Sequence, residues 1–417
     1  MNRRDLLKAL AASGAVMTLP TNLAWAASQA SPDRFLVILS AGGGWDVTSI
    51  CDPKGDVRYG DGPETINWFT QSQIRKQGNL KYAPIIPGAN LEYDWMEHVY
   101  KKYYQDMIVV NGVNCLTGSH AQGNYFLASG QSFANFPTIG ALHSAPYKNT
   151  MAVPYYAAGQ HSETAGEVSP VQINSAEVMD KFLSDGGLQP DPVNKLLQEK
   201  RQELLDHLGY DPEMPSKEET WKQFKSADLS SRDVADIANY LPDNGNSSGP
   251  KFQAEMCAAL LASGQCAAAG FKSSAKFDTH ADSDARTALL ANTLFEELNS
   301  LISELERHGI AEKTTIMIGS EFGRTPWLNG NKGRDHWATG SVILMGKGLN
   351  GNRTIGQSTD GLRASLVNPE TLQPDENGIK ISIQHVHRAL RDHLGMGAGT
   401  ELNSKYPMPA ERLNIFG

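Results

Sequence analysis

Gly319-Ser320-Glu321-Phe322-Gly323-Arg324-Thr325-Pro326 follows directly on an apolar run, Thr314 to Ile318, and is itself followed by Gly333-Arg334-Asp335-His336-Trp337. A short apolar run that breaks at glycine and carboxylate reads as a buried strand leaving the core for a polar loop. The Asp-His pair stands just before a second apolar run, Val342 to Met345. In an open α/β sheet, ligands bind in the loops beyond the carboxyl ends of such strands.

Working outward, other runs end in the same way. Phe35-Leu36-Val37-Ile38-Leu39 breaks at Gly42-Gly43-Gly44 before Trp45-Asp46, and Met107-Ile108-Val109-Val110 leads through Asn111-Gly112 to Thr117-Gly118-Ser119-His120-Ala121-Gln122. The glycine run lacks the Lys-Ser/Thr of a phosphate loop and reads as a tight turn. Ser119 suits a helix N-cap, where a hydroxyl lies among unpaired N–H donors that also hold anions. Phe252 to Ala269 is Ala-rich and reads as helical at first, leading to Phe277-Asp278-Thr279-His280. Leu289, Leu290, Leu294, Phe295, Leu298, Leu301, Ile302 and Leu305 then recur at helical spacing and are expected in the core of a long helix closed by His308-Gly309. His385, His387 and His393 fall on a last helix, from about Ser382 to Leu394, where packing or surface roles are expected. Helices alternating with apolar strands predict an α/β fold with a largely parallel sheet and helices on both faces.

The chain has 417 residues, enough for one large core with an insertion or for two domains. The reading favours one α/β domain over 27–417, with the polar stretch 161–250 as an inserted cap. At 40% hydrophobic and 20% charged residues the composition is globular and excludes disorder. Residues 1–26 read as a twin-arginine signal peptide: Asn2-Arg3-Arg4-Asp5, a weakly apolar stretch from Ala9 to Leu19, and Ala24-Trp25-Ala26 for cleavage. This predicts export, to the periplasm or beyond, by the twin-arginine translocation machinery. Cleavage would shift the formal charge from −9 to −11. An acidic surface without a basic run argues against nucleic acid, and no apolar stretch is long enough for a transmembrane anchor. Cys51, Cys115, Cys257 and Cys266 match no zinc spacing and leave free thiols or disulfides equally open. Without a dinucleotide fingerprint or a cysteine cluster, a redox role has no support.

Asp46, Ser119 with His120, Asp278 with His280, Glu321, and Asp335 with His336 would converge on one sheet edge if the runs are parallel neighbours. Such a gathering of carboxylates and imidazoles is costly unless a cation or hydrogen bonds compensate. The predicted metal ligands are Asp46, Asp278, His280, Glu321, Asp335 and His336. Their N and O donors suit one or two divalent ions, zinc or manganese before magnesium or calcium. Ser119 and His120 are the candidate catalytic pair. Arg324 and Arg334 are candidates for gripping an anionic substrate, small or polymeric, although either could instead pair with Asp335 or Glu321.

At Phe277 to His280, Ser320 to Pro326 and Gly333 to Trp337 the chain resembles the exported bacterial proteins of the domain-of-unknown-function family numbered 1501. The likeness runs from Gly44-Trp45-Asp46 through Ser119 to Gln122 and on to the last helix. That family resembles a branch of the alkaline phosphatase and sulfatase superfamily, which implies an α/β/α sandwich with one or two divalent metals. By this resemblance Asp46 corresponds to the carboxylate after the first strand, Ser119 lies near the hydroxyl nucleophile, Asp278 and His280 match the Asp and His pair, and His336 matches the later metal-binding histidine. Glu321 stands where an aspartate is expected, and Phe322 replaces the histidine beside it, which weakens a second metal site. The implied function is hydrolysis of phosphate or sulfate esters. The alternative is an exported binding or assembly protein that keeps the fold without the chemistry.

Overall fold

The computed structural model describes residues 32–60, 63–86, 89, 91–177, 237–241 and 245–417. The expected leader, 1–26, lies outside the described residues, as do 178–236 and 242–244 of the expected cap.

The strands are β1 (Phe35–Ser40), a small hairpin of β2 (Arg75–Gln77) and β3 (Leu80–Tyr82), β4 (Met107–Asn114), β5 (Tyr155–Ala158), β6 (Pro170–Val171), β7 (Ala268–Lys272), β8 (Thr314–Gly319), a short pair β9 (Gly323–Arg324) and β10 (His336–Trp337), β11 (Thr339–Met345) and β12 (Arg353–Ile355). Eight of them form one sheet in the order β12-β4-β11-β8-β1-β7-β5-β6. β1 is central, in parallel register with β8 from Phe35↔Thr314 to Ser40↔Gly319 and with β7 from Leu36↔Ala268 to Ser40↔Lys272. β11 runs antiparallel to both its neighbours, β4 and β8. The sheet is therefore mostly parallel, as the alternation of elements predicts.

Among the described residues the helices are α1 (Trp95–Tyr103), α2 (His120–Ser129), α3 (Ile139–Ser144), α4 (Gly249–Ala262), α5 (Ser283–Arg307), α6 (Ile383–His393) and the short α7 (Glu401–Lys405). Alternate side chains of a strand point to opposite faces, and β1 divides accordingly. Val37 and Leu39 pack with Val99 of α1, Leu260 of α4 and Leu298 of α5 in one core. Leu36 and Ile38 join Leu127 of α2, Leu142 of α3 and Leu390 of α6 in the other. Burial of both faces explains why β1, β8 and β11 are apolar runs rather than alternating ones. The result is an α/β/α sandwich.

The Ala-rich run is helical at first, as expected, but α4 stops at Ala262 and Ala268–Lys272 is strand β7. Alanine is a weak strand former, but β7 is paired on both edges, by β1 and β5, and its small side chains let α3 and α4 lie close over it. Leu289 of α5 is 46% exposed rather than core. All four cysteines are free and buried, so neither bridge forms; burial pushes the Cys115 thiol up to about 12.

Candidate metal centre

The parallel strands end at one edge, and β11, being reversed, begins there. Its reversal brings Asp335 and His336, which lie just before its first residue, to the edge where Glu321 leaves β8 and where the loop after β7 carries Asp278 and His280. The short β9–β10 ladder, with His336 opposite Arg324, fixes the two loops against each other. His120 arrives as the first residue of α2.

Three imidazoles meet one carboxylate here. Asp278 Oδ1 lies 3.1 Å from His280 Nε2, 3.6 Å from His336 Nε2 and 3.7 Å from His120 Nε2. His120, Asp278 and His336 offer ligand atoms that all lie within 4.8 Å of one another, and His280 Nε2 is 3.2 Å from His336 Nε2. The cluster is open to solvent, the four side chains being 29–49% exposed.

The opposite nitrogen of each ring faces an acceptor. His336 Nδ1 donates to the Gly118 carbonyl at 2.7 Å, His120 Nδ1 to Glu321 Oε1 at 2.8 Å and His280 Nδ1 to Asp335 Oδ1 at 3.0 Å. A neutral imidazole that donates from Nδ1 presents only a lone pair at Nε2. Three lone pairs and an anionic oxygen therefore point at one another. The Arg324 guanidinium meets two of them, Asp278 Oδ1 at 2.5 Å and His280 Nε2 at 3.4 Å, and leaves the Nε2 atoms of His120 and His336 facing the cluster without a donor, where a further cation would be favourable. Rings oriented by carboxylates or carbonyls on the far nitrogen are the usual second layer of a metal site.

The charges agree with this tautomer assignment. Burial opposes ionisation of Glu321, yet its own amide, His120, the Gly43 N–H and the Ser320 hydroxyl hold its carboxyl below the usual range. Asp335 is held low by hydrogen bonds from Asn329 and His280. Burial also opposes ionisation of Asp278, and the Arg324 hydrogen bond and charge outweigh it, so this carboxyl too is lowered. Partial burial pushes His336 down despite its bond to Gly118, helped by Arg324, His120 and His280.

Of the six predicted metal ligands, the structure brings Asp278, His280 and His336 together and adds His120, expected as a catalytic partner. The other three stand back. Glu321 spends Oε1 on His120 and the Gly43 N–H and Oε2 on the Ser320 hydroxyl. Asp335 holds His280 and Asn329. Asp46 caps its own turn, accepting from Thr48 N–H at 2.9 Å, the Thr48 hydroxyl at 2.7 Å and the Ser49 hydroxyl at 2.8 Å, and it pairs with Arg334 at 3.3 Å.

The two arginines, named as candidates for gripping an anion or for pairing with a nearby carboxylate, are both buried. Arg324 is fully buried and gives its N–H groups to the carbonyls of Gly43, Gly44 and Arg334 and, at 2.5 Å, to Asp278. Arg334 is 1% exposed and bonds the carbonyls of Thr325 and Ile66. Ser119 occupies the N-cap position of α2, but its hydroxyl makes no capping bond and is exposed. The glycine turn spends its N–H groups within the chain: those at Gly43, Gly44 and Trp45 go to the Glu321 carboxylate and the Ser320 hydroxyl. Phe322, where an imidazole was expected, is fully buried beneath His336 and His120, with ring centroids 4.5 and 4.8 Å away. Ser320, Asn329 and the Gly118 carbonyl were not foreseen. Ser320 opens one of the recognised motifs and Asn329 lies between two of them, but nothing in a sequence says which way a backbone carbonyl points.

The fold and the site together define an α/β/α protein with a cluster of three histidines and one aspartate at the carboxyl edge of its sheet. The family model described as "Protein of unknown function (DUF1501)" matches residues 197–373, a span that contains Asp278, His280, Glu321, Arg324, Asp335 and His336. It is the family that the motifs resemble. No curated protein matches the chain in sequence. Among solved structures, Ps i-CgsB in complex with k-i-k-neocarrahexaose is 9% identical, with 92% of this chain and 75% of that one covered at a TM-score of 0.42. A putative sulfatase from Bacteroides thetaiotaomicron is 8% identical, with 92% and 76% covered at 0.37. The lipoteichoic acid synthase LtaP from Listeria monocytogenes is 9% identical, with 89% and 74% covered at 0.35.

Proposed function

We propose that this chain is an exported metal-dependent hydrolase of phosphate or sulfate esters, acting by in-line attack. One observation carries the reading: three Nε2 atoms and Asp278 Oδ1 converge while every Nδ1 is already bonded to an acceptor. His120, His280, His336 and Asp278 would hold the ion, and this donor set suits zinc or manganese. The ion would supply Lewis-acid polarisation of the ester and offset its negative charge. Asp46, Glu321 and Asp335 are committed to other bonds, which favours one ion over two.

Ser119 is the nucleophile in this reading. Its Oγ would bond to phosphorus or sulfur, its proton passing to solvent water, as the ester oxygen leaves on the opposite side and takes up a proton, and water would then cleave the seryl ester and restore the serine. The hydroxyl stands at the start of α2, whose first N–H groups and dipole stabilise developing negative charge. Export rests on the Arg3-Arg4 start and the Ala24-Trp25-Ala26 segment. No helix among the described residues is long and apolar enough to cross a membrane.

A second reading, a binding or assembly protein that retains the fold, is favoured by one observation. No described side chain hydrogen-bonds the Ser119 hydroxyl to act as its base. Metal content by mass spectrometry, combined with turnover on phosphate and sulfate ester panels, separates the two. The hydrolase reading expects about one ion per chain, lost with turnover in His336→Ala, and a Ser119→Ala variant that keeps the ion but not the turnover. Well-folded protein without an ion, inert on every ester, rejects it; an ion without turnover leaves the binding protein.

A further inference from the structure

Beside the metal centre lies a cavity of roughly 320 Å³, walled by α2 on one side and by the ends of β1, β5 and β7 on the other. Glu321, which holds His120, lines it too, so cavity and centre share a wall. A pocket of this size takes the body of a small organic ligand.

Two glycines make room for the polar groups that face it. Lys272, the last residue of β7, lies across Gly42: a Cβ there would stand 2.4 Å from the lysine Cε and 2.9 Å from Nζ. Gln160 lies across Gly270, where a Cβ would stand 2.0 Å from its Nε2. The Ser40 hydroxyl donates to Gln160 Oε1 at 3.0 Å and leaves the other end of the amide over. That end, Nε2, is buried and has no hydrogen-bond partner among the described residues. Nor does an ion pair join Lys272 to any described residue. A buried donor without a partner costs about 1–3 kcal/mol, and Gln160 lines the same cavity as the exposed side chain of Lys272. Tyr125 and His161, meeting edge to face at 4.5 Å, form part of the remaining wall, with Asn124 and Leu127 beside them.

We propose that this cavity is the subsite for the body of the ligand, and that the ligand carries a second anionic group, a carboxylate, phosphate or sulfate, received by Lys272 Nζ and Gln160 Nε2. The word substrate applies to it only if the hydrolase reading holds; the cavity's preference for a second anion does not depend on turnover. Lys272 then fills the role that the sequence suggested for Arg324 and Arg334.

Calorimetric titration of the metal-loaded protein with methylphosphonate, which has one anionic group, and with ω-phosphonoalkanoates of one to five methylenes, which have two, tests this. At least one phosphonoalkanoate should bind more tightly than methylphosphonate. Lys272→Met should weaken that ligand about tenfold and leave methylphosphonate within about twofold, Lys272→Arg should restore it in part, and Gln160→Leu should act in the same direction. No phosphonoalkanoate binding better than methylphosphonate, or equal losses for both probes in Lys272→Met, would overturn the proposal. A Lys272-dependent preference in protein that holds no metal and cleaves no ester sinks the hydrolase reading but not this one. Ester turnover with no Lys272 dependence for the two-anion probes does the reverse.

Discussion

Glu321 and Asp335 both orient an imidazole, but Glu321 is 3% exposed and Asp335 is 51% exposed, and this separates what their replacement should do. Asp335→Asn is expected to lower metal affinity about 10–100-fold while the melting temperature of the metal-free protein stays the same. Competition against a chelator and a thermal melt check the two halves. Arg324→Met should do both kinds of damage. It removes the partner of Asp278 and leaves the carbonyls of Gly43, Gly44 and Arg334 without a donor, so a loss of about 3–5 kcal/mol in denaturant unfolding is expected along with weaker metal binding. Asp278, His280 and His336 were legible because the motifs around them are specific. The division of labour was not. Adjacent polar residues such as Ser320 and Glu321 look alike in a sequence, and only burial shows that Glu321 acts behind His120. For the same reason an arginine suited to gripping an anion could not be told from one sealed in the core.

The turn after β1 sits directly under the candidate metal centre. Gly44 has φ +75°, and a Cβ on it would lie 2.3 Å from the Phe322 ring, which is buried and cannot yield. Gly44→Ala should therefore cost roughly 2–4 kcal/mol in stability and tilt the floor beneath His120 and His336. Urea unfolding and metal affinity should both fall, and an unchanged protein would mean that Phe322 is not fixed there. β1, β4, β8 and β11 were legible as unbroken apolar runs, which strands buried on both faces require. β7 was not, because Ala268 and Ala269 carry no strand preference of their own and become a strand only between β1 and β5. The reversed direction of β11 was equally hidden, since an apolar run has no polarity; its path is decided by the short β9–β10 ladder that precedes it.

Across the whole molecule, buried histidines set a limit on acid stability. Burial pushes His143 down to about 4 against its bond to the Arg34 carbonyl. Burial and the charge of Arg391 push His387 to about 3, opposed by its bonds to the carbonyls of Leu127 and Phe126. In the unfolded chain both return to about 6.5. Between these values the unfolded state binds more protons, so their stabilising contribution is complete above pH 6.5 and declines as pH falls toward 4. Each contributes a slope of up to about 1.4 kcal/mol per pH unit. Urea midpoints of metal-free protein should hold between pH 7.5 and 6.5 and fall from there to pH 4.5, and a flat profile would show that the fold does not oppose protonation of these rings. The sheet order has another consequence. β1 pairs with β8, Phe35 with Thr314, and the site draws on residues from His120 to His336, so its ligands gather only after the most distant pairings in the chain have closed. Contacts of such sequence separation form slowly and late. An ion would thus be captured by the finished protein and not by a nascent segment, which makes metal uptake a clock for the last step of folding.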